Sequence, residues 1–229
     1  MKKKKSKFEK EIKEEEFRVT IFGSARIKKG DDSYKQVNIL AKILGEYGVD
    51  IVTGGGPGLM QAASLGHKVG RKRYIAKSKK DGKKRKPAHT IGLGIKLPWE
   101  QKFNKGVSVS KEFRRFSKRL DNFMLLSNVV IVAPGGVGTL LELFYTWQLV
   151  QVKQICNIPI ILLGDMWDGL IDWLEEKPLK RKLFDKKDLH SLFYAKDAKE
   201  AIKMIEEAHK EYKKGSKNYC LNYKRHKLY

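Results

Sequence analysis

Two residues, Glu142 and Arg119, combine a chemically able side chain with a context that asks for one. Glu142 closes PGGVGTLLE (134–142), where a glycine-dense turn feeds a segment so apolar that a carboxylate stands out. Glycines let a backbone approach a ligand closely, and a helix that starts just after them aims free N–H groups at an anion. The turn is therefore a candidate phosphate cradle, and Glu142 has two readings beside it. With Thr139 at the N-cap and Glu142 at the third helical position, T-x-x-E is a capping box in which each side chain satisfies a free N–H of the helix start. A carboxylate one turn into that helix is equally placed to act on a bound ligand's reactive carbon or on water. Arg119 falls at helical spacing between Phe116 and Phe123, on a helix leading into the strand that delivers the turn. A flank Arg is commonly a snorkelling surface residue, as Arg114, Arg115 and Lys118 are expected to be.

Two more turns join this one. GSAR (23–26) and TGGGPG (53–58) each follow an apolar, β-branched run. Any one such turn is accounted for as a tight strand-to-helix connection. Together they read as one shared anion site whose backbone comes from Gly23, Ser24, Gly54, Gly55, Gly56, Gly58, Gly135, Gly136, Gly138 and Thr139. Neither rich turn completes GxGxxG, because Leu141 and Gln61 stand at the third glycine position, and no GxxxxGK[ST] exists. A dinucleotide dehydrogenase and a P-loop nucleotidase are thereby unsupported.

The elements that must position these residues alternate. Strands are expected over 17–23, 49–56, 89–95, 128–133 and 158–164, and helices over 33–48, about 58–66, 111–127, 139–151, 166–176 and 197–212. In the 111–127 helix Phe113, Phe116, Leu120 and Phe123 form one stripe, and the 139–151 helix is apolar on nearly every side, which predicts full burial in the core or at a dimer interface. Continuous apolar strands alternating with helices indicate an α/β fold with a mainly parallel sheet covered on both faces. Ligands of such sheets sit outside the carboxyl ends of the strands, where all three turns lie.

At 229 residues the chain has room for one α/β domain with tails. Its formal charge of +23 attracts anions and is concentrated at 1–10, 67–86 and 213–227. These runs are expected to be solvated, with 67–86 an exposed loop or extended hairpin. They lack regularly interleaved aromatics and match no nucleic-acid module, so nucleic-acid binding is kept as an alternative without being favoured. Cys156 and Cys220 stand far apart without CxxC, which indicates neither a disulfide framework nor a zinc site, and a cytoplasmic setting is the simplest. No run approaches the roughly 18 apolar residues that span a bilayer, so no membrane partner is expected.

TGGGPGLMQAA (53–63) and KRLDNFMLLSNVVIVAPGGVGTLLE (118–142) resemble the LOG family, often labelled "lysine decarboxylase", whose characterised members include the Lonely Guy cytokinin-activating phosphoribohydrolases and bacterial nucleotide 5′-monophosphate nucleosidases. The family pattern PGGxGTxxE is met by Pro134, Gly135, Gly136, Gly138, Thr139 and Glu142, with Arg119 fifteen residues before the Pro; GGGxGxM is met through Met60. The likeness runs from about residue 17 to 176. It implies a Rossmann-like doubly wound fold over 17–212, usually dimeric, flanked by a charged leader (1–16) and a basic tail (213–229). It further implies hydrolysis of the N-glycosidic bond of a nucleoside 5′-monophosphate to free base and ribose 5-phosphate, without metal or cofactor. Phosphate would lie on the Gly54–Gly58 and Gly135–Thr139 turns, and Arg119 and Glu142 would be the catalytic pair, the Glu assisting water or stabilising an oxocarbenium-like centre and the Arg supporting charge and orientation.

The sequence departs from the family in places. Leu141 replaces the first Glu of the common T-x-E-E, the R-K-x-x-M pattern is here Arg119-Leu120-Asp121-Asn122 with Met124 displaced, and the run after Gly66 is longer and more basic than in short cytokinin-type members. These features lie nearer the bacterial nucleosidases. The decarboxylase label gains nothing from the residues: 49 Lys and Arg leave no Schiff-base lysine to single out, and no pyridoxal-phosphate motif stands out. A non-catalytic nucleotide sensor or carrier on the same fold stays open.

Overall fold

The computed structural model describes residues 6–82, 86–97 and 102–215. The basic tail from 216 onward and part of the 67–86 run lie outside the described residues.

Seven parallel strands form one sheet in the order β4-β3-β2-β1-β5-β6-β7. They are β1 (Arg18–Phe22), β2 (Asp50–Thr53), β3 (Thr90–Ile95), β4 (Val109–Phe113), β5 (Val129–Val132), β6 (Ile160–Leu163) and β7 (Leu192–Ala195). The four residues of β5 are all buried, as expected of a strand covered on both faces. Alternation along the strands divides them between two cores. Val19, Ile21, Val129 and Ile131 pack under α2 (Asp32–Glu46), α3 (Leu59–Lys80) and α7 (Ala198–Lys213). Phe22, Val130 and Val132 pack under α1 (Lys7–Glu11), α4 (Phe116–Leu126), α5 (Val137–Gln151) and α6 (Asp168–Leu174). The protein is thus a Rossmann-like, doubly wound α/β fold. Strand order reverses between β1 and β5, and the Ser24 amide donates to the Pro134 carbonyl across that point at 3.0 Å.

Several expectations need correction. The helix expected to stop at Gly66 continues to Lys80, so most of the basic 67–86 run is helix and not a loop or hairpin. Gly66 and Gly70 are interior helix positions that let α3 close on α2: a Cβ at either would strike the Asn38 or Lys42 carbonyl. His67, between them, is fully buried and bridges Thr90 Oγ1 (2.7 Å) and the Val49 carbonyl (2.8 Å). The carbonyl only accepts, so Nε2 carries the proton; burial lowers the ring's pKa to about 4 and keeps it neutral.

The expected 111–127 helix begins only at Phe116, because 109–113 is an edge strand, β4, whose charged middle faces outward. Phe113 therefore belongs to β4, and Phe116 is exposed rather than part of a buried stripe. β7, at the opposite edge, was not anticipated. The charged leader is partly structured: Phe8 is buried edge-on to Phe113, and Arg18 lies between Glu11 (3.5 Å) and Asp50 (3.6 Å).

Candidate functional site

The three turns meet at the carboxyl ends of β1, β2 and β5. Together with β3 and the first turns of α4 and α5 they enclose a cleft of about 520 Å³. Its polar side chains are Ser24, Arg26, Thr139, Arg119 and Glu142, and its walls include Ile95, Leu97, Phe116 and Val137.

α5 begins at Val137 with Gly136 as N-cap and no side-chain cap. The capping box is absent: Thr139 is the third helical residue and Glu142 lies a further turn along, so Glu142 caps nothing. Gly136 reaches the N-cap role with open space where a Cβ would point, as does Gly138, which leaves room for an anion against the uncapped amides. Gly135 lies behind this surface, its Cα backed by the Thr139 side chain.

Glu142 is instead turned to the cleft floor, where its Oε1 meets Arg119 Nη1 at 3.3 Å, both side chains 11% exposed. Arg119 is fixed from two other directions: Nε donates to the Leu93 carbonyl at 2.7 Å, and the guanidinium lies 5.0 Å from the centre of the Phe123 ring. Burial raises the Glu142 pKa to about 7 although Arg119 pulls it down, and burial lowers that of Arg119. The result is a carboxylate that exchanges its proton near neutrality beside a fixed cation, below an uncapped helix start. That set can bind a phosphorylated ligand, stabilise positive charge developing near the carboxylate and orient water.

The glycines of the second turn divide. Gly54 faces the cleft, and a Cβ there would come within 2.6 Å of both Arg119 Nη2 and Met60 Sδ. Gly55 and Gly56 face away, Gly55 at φ +72° beneath Phe103. The Asn104 side chain donates to the Gly55 carbonyl (3.1 Å) and the Gly56 carbonyl (2.9 Å). Phe103 fills the space left by Gly92 and Gly94 of β3, so this pair clamps the turn from behind. Gly58 is the N-cap of α3 and touches the 24–25 backbone outside the main cleft. Gly23, Ser24, Gly54, Met60, Arg119, Gly136, Gly138, Thr139 and Glu142 thus line the cleft, while Gly55, Gly56, Gly58 and Gly135 shape it. The sequence reading missed Phe103 and Asn104, which carry no local signal, and passed over Arg26 although the GSAR turn was noted.

Residues 74–205, Arg119 and the PGGVGTLLE stretch among them, match the family described as "Possible lysine decarboxylase", the LOG family. The chain belongs to the LOG family. The match holds more than half of the 229 residues. No curated protein sequence matches the chain. Solved structures of similar fold include the molybdenum cofactor binding protein from the phototrophic bacterium Rippkaea orientalis, at TM-score 0.57 and 19% identity over 84% of this chain and 96% of that one. The Moco carrier protein from Chlamydomonas reinhardtii is similar at TM-score 0.59 and 20% identity, over 86% of this chain and 99% of that one. At such identities these neighbours show the fold alone. As for the family's decarboxylase label, no lysine is among the described residues lining the cleft, so the residues do not fit a Schiff-base cofactor there. No described helix is long and apolar enough to cross a membrane.

Proposed function

We infer that this LOG-family protein hydrolyses the N-glycosidic bond of a nucleoside 5′-monophosphate, releasing free base and ribose 5-phosphate. The observation that carries the reading is the Arg119–Glu142 pair on the floor of a cleft that the uncapped start of α5 also lines. In this reading the 5′-phosphate binds the α5 amides with Gly54 and Ser24 beside it, and the base leans on the apolar wall. Glu142, as carboxylate, stabilises the positive charge that develops at the anomeric carbon and takes a proton from the attacking water. The water oxygen bonds to that carbon, the bond to the base nitrogen breaks with its electron pair, and the proton passes to the departing base. Arg119 holds Glu142 in place and favours its charged form.

The exposed apolar residues Val137 (85%), Leu141 (45%) and Phe144 (38%) run along α5 from the rim of the cleft, so of the two burials expected for that helix, in the core or at a dimer interface, the core supplies only part within one subunit. We assign this face to a second copy in a homodimer. The protein is proposed to act in the cytoplasm as a single domain over 17–212.

A second reading is a carrier that binds a phosphate-bearing ligand without converting it. The same open helix start serves it, and the neighbours described as molybdenum cofactor binding and carrier proteins use this fold. A buried carboxylate–guanidinium pair at the floor is not something a carrier requires. Incubation with AMP, GMP, IMP, CMP, UMP and an isopentenyl-AMP, followed by chromatography of free base and ribose 5-phosphate, tests the choice. Equimolar release of the two products supports hydrolysis; saturable binding with no release supports the carrier.

A further inference from the structure

The amino ends of the strands, opposite the cleft, hold a buried polar cluster that the proposed reaction does not use. Arg18 and Asp50 open β1 and β2, His89 directly precedes β3, and Glu11 closes α1 in the charged leader. One oxygen of each carboxylate and one ring nitrogen of His89 lie within 4.8 Å of one another. Both carboxylate residues are buried, Glu11 at 4% exposure and Asp50 at 5%.

Two observations separate this set from a satisfied ion-pair network. The first is that six buried side-chain polar atoms lack a hydrogen bond among the described residues, and four of them are here: Glu11 Oε1, Asp50 Oδ2, His89 Nδ1 and Arg18 Nε. Leaving such atoms unmatched is costly, and gathering them in one place calls for a shared partner. Arg18 stands 3.5 Å from Glu11 Oε1 and 3.6 Å from Asp50 Oδ2, and His89 Nδ1 is 3.1 Å from Glu11 Oε2 without forming a hydrogen bond. The second is that the remaining groups are already anchored. Asp50 Oδ1 accepts the His89 amide at 2.6 Å, and Arg18 Nη2 donates to the Glu11 (2.9 Å) and Glu14 (3.1 Å) carbonyls. The ligand atoms left over are therefore held in place by backbone contacts around them. A recess of about 210 Å³, lined by Glu16, Tyr74, Lys86 and Asp50 itself, leads in from the surface.

We propose that Glu11, Asp50 and His89 form a site for a divalent cation of the Zn²⁺ type, which staples the leader to the start of the sheet. Two carboxylates and an imidazole suit such an ion better than Mg²⁺ or Ca²⁺, which take oxygen ligands. Bonds of about 2.0–2.2 Å set ligand atoms roughly 3–4 Å apart, so the side-chain tips need close by only about 1 Å. A water from the recess completes the four-coordinate shell. Arg18 remains outside it and offsets part of the carboxylate charge, leaving the second carboxylate's charge to the cation. The site is independent of the nucleotide reading, since it lies at the other end of the sheet.

The test is calorimetric titration of metal-stripped, full-length, untagged protein with Zn²⁺ and with Mg²⁺ at about pH 7.5, where a free imidazole is neutral. One Zn²⁺ per chain is expected, bound at least tenfold more tightly than Mg²⁺. Glu11→Gln and His89→Gln should each weaken it at least tenfold, and His190→Gln, at an exposed histidine outside the cluster, should leave it unchanged. Zn²⁺ should also slow tryptic cleavage after Lys10 and Lys13 in the wild type and in His190→Gln, but not in the two cluster variants. Melting temperatures without metal show whether each variant folds; should one fail, the other and the wild-type proteolysis decide. Absence of stoichiometric Zn²⁺ binding by the wild type, or equal binding by wild type and cluster variants, overturns the proposal and leaves an ion-pair network around Arg18.

Discussion

A carboxyl group held near pH 7 in a cleft makes activity depend on pH in a calculable way. Glu142 titrates at about 7 against an ordinary 4.5, because burial penalises its charge more than Arg119 relieves it. If the carboxylate is the working form, kcat/KM is level above pH 7 and falls tenfold per unit below it, to roughly 1% of its plateau at pH 5. Stability moves the other way. The folded-state pKa lies above the unfolded one, so the bound proton favours the folded state fully below pH 4.5, and that contribution is lost as pH rises through 7. The displacement from 4.5 to 7 corresponds to about 3 kcal/mol at ~1.4 kcal/mol per unit. Glu142→Gln cannot titrate and escapes this loss. Urea denaturation of both proteins at pH 5 and pH 8 should therefore show the variant gaining on the wild type at the higher pH. Arg119→Gln removes the group that pulls the Glu142 pKa down, so its residual activity should show the acid limb displaced to higher pH. A flat profile between pH 5 and 8, or activity that declines as pH rises through 7, would refute the assigned role.

Three other perturbations probe the frame around the pair. Gly54→Ala puts a methyl group 2.6 Å from both Arg119 Nη2, whose guanidinium is already pinned, and Met60 Sδ, so kcat should drop about 100-fold, with a stability loss of about 1–3 kcal/mol from the overpacking. Asn104→Ala takes the side-chain donor from the Gly56 carbonyl, while the Gly55 carbonyl keeps the residue-104 backbone amide at 2.8 Å, and so loosens the turn; denaturant titration should show a loss of about 1–2 kcal/mol, and KM for the nucleotide should rise more than kcat falls. Phe144→Glu places a charge on the exposed face of α5 and should yield monomers by light scattering, whereas an unchanged oligomer would assign the interface elsewhere.

The doubly wound sheet was legible because β5 and β6 are uninterrupted apolar runs and β1 and β2 are short runs rich in β-branched residues, each followed by a glycine turn or a helix. The edges were not. β4 has only Val109 and Phe113 buried, and its exposed Ser, Lys and Glu look like the start of the helix that follows. α3 was cut short because Gly66 reads as a stop in one chain segment, while its reason is the backbone of α2 passing alongside. At the site, Arg119 and Glu142 were found from spacing and resemblance, and the structure brings them together across 23 residues of chain. The capping reading of Thr139 and Glu142 failed because Gly136 opens α5 three residues earlier than a threonine cap would. Phe103 and Asn104 escaped notice because their partners, the glycines of β3 and of the second turn, are distant in sequence and carry no side chain to mark the contact.

The most direct test of the central claim follows binding and turnover in the same pair of proteins. AMP is titrated into wild type and Glu142→Gln by calorimetry, and release of adenine and ribose 5-phosphate is measured on the same samples. The account predicts that both bind AMP with similar affinity and that only the wild type releases products, the variant falling by at least about 100-fold. Equal turnover in the two proteins, or none in the wild type despite saturable binding, would contradict it.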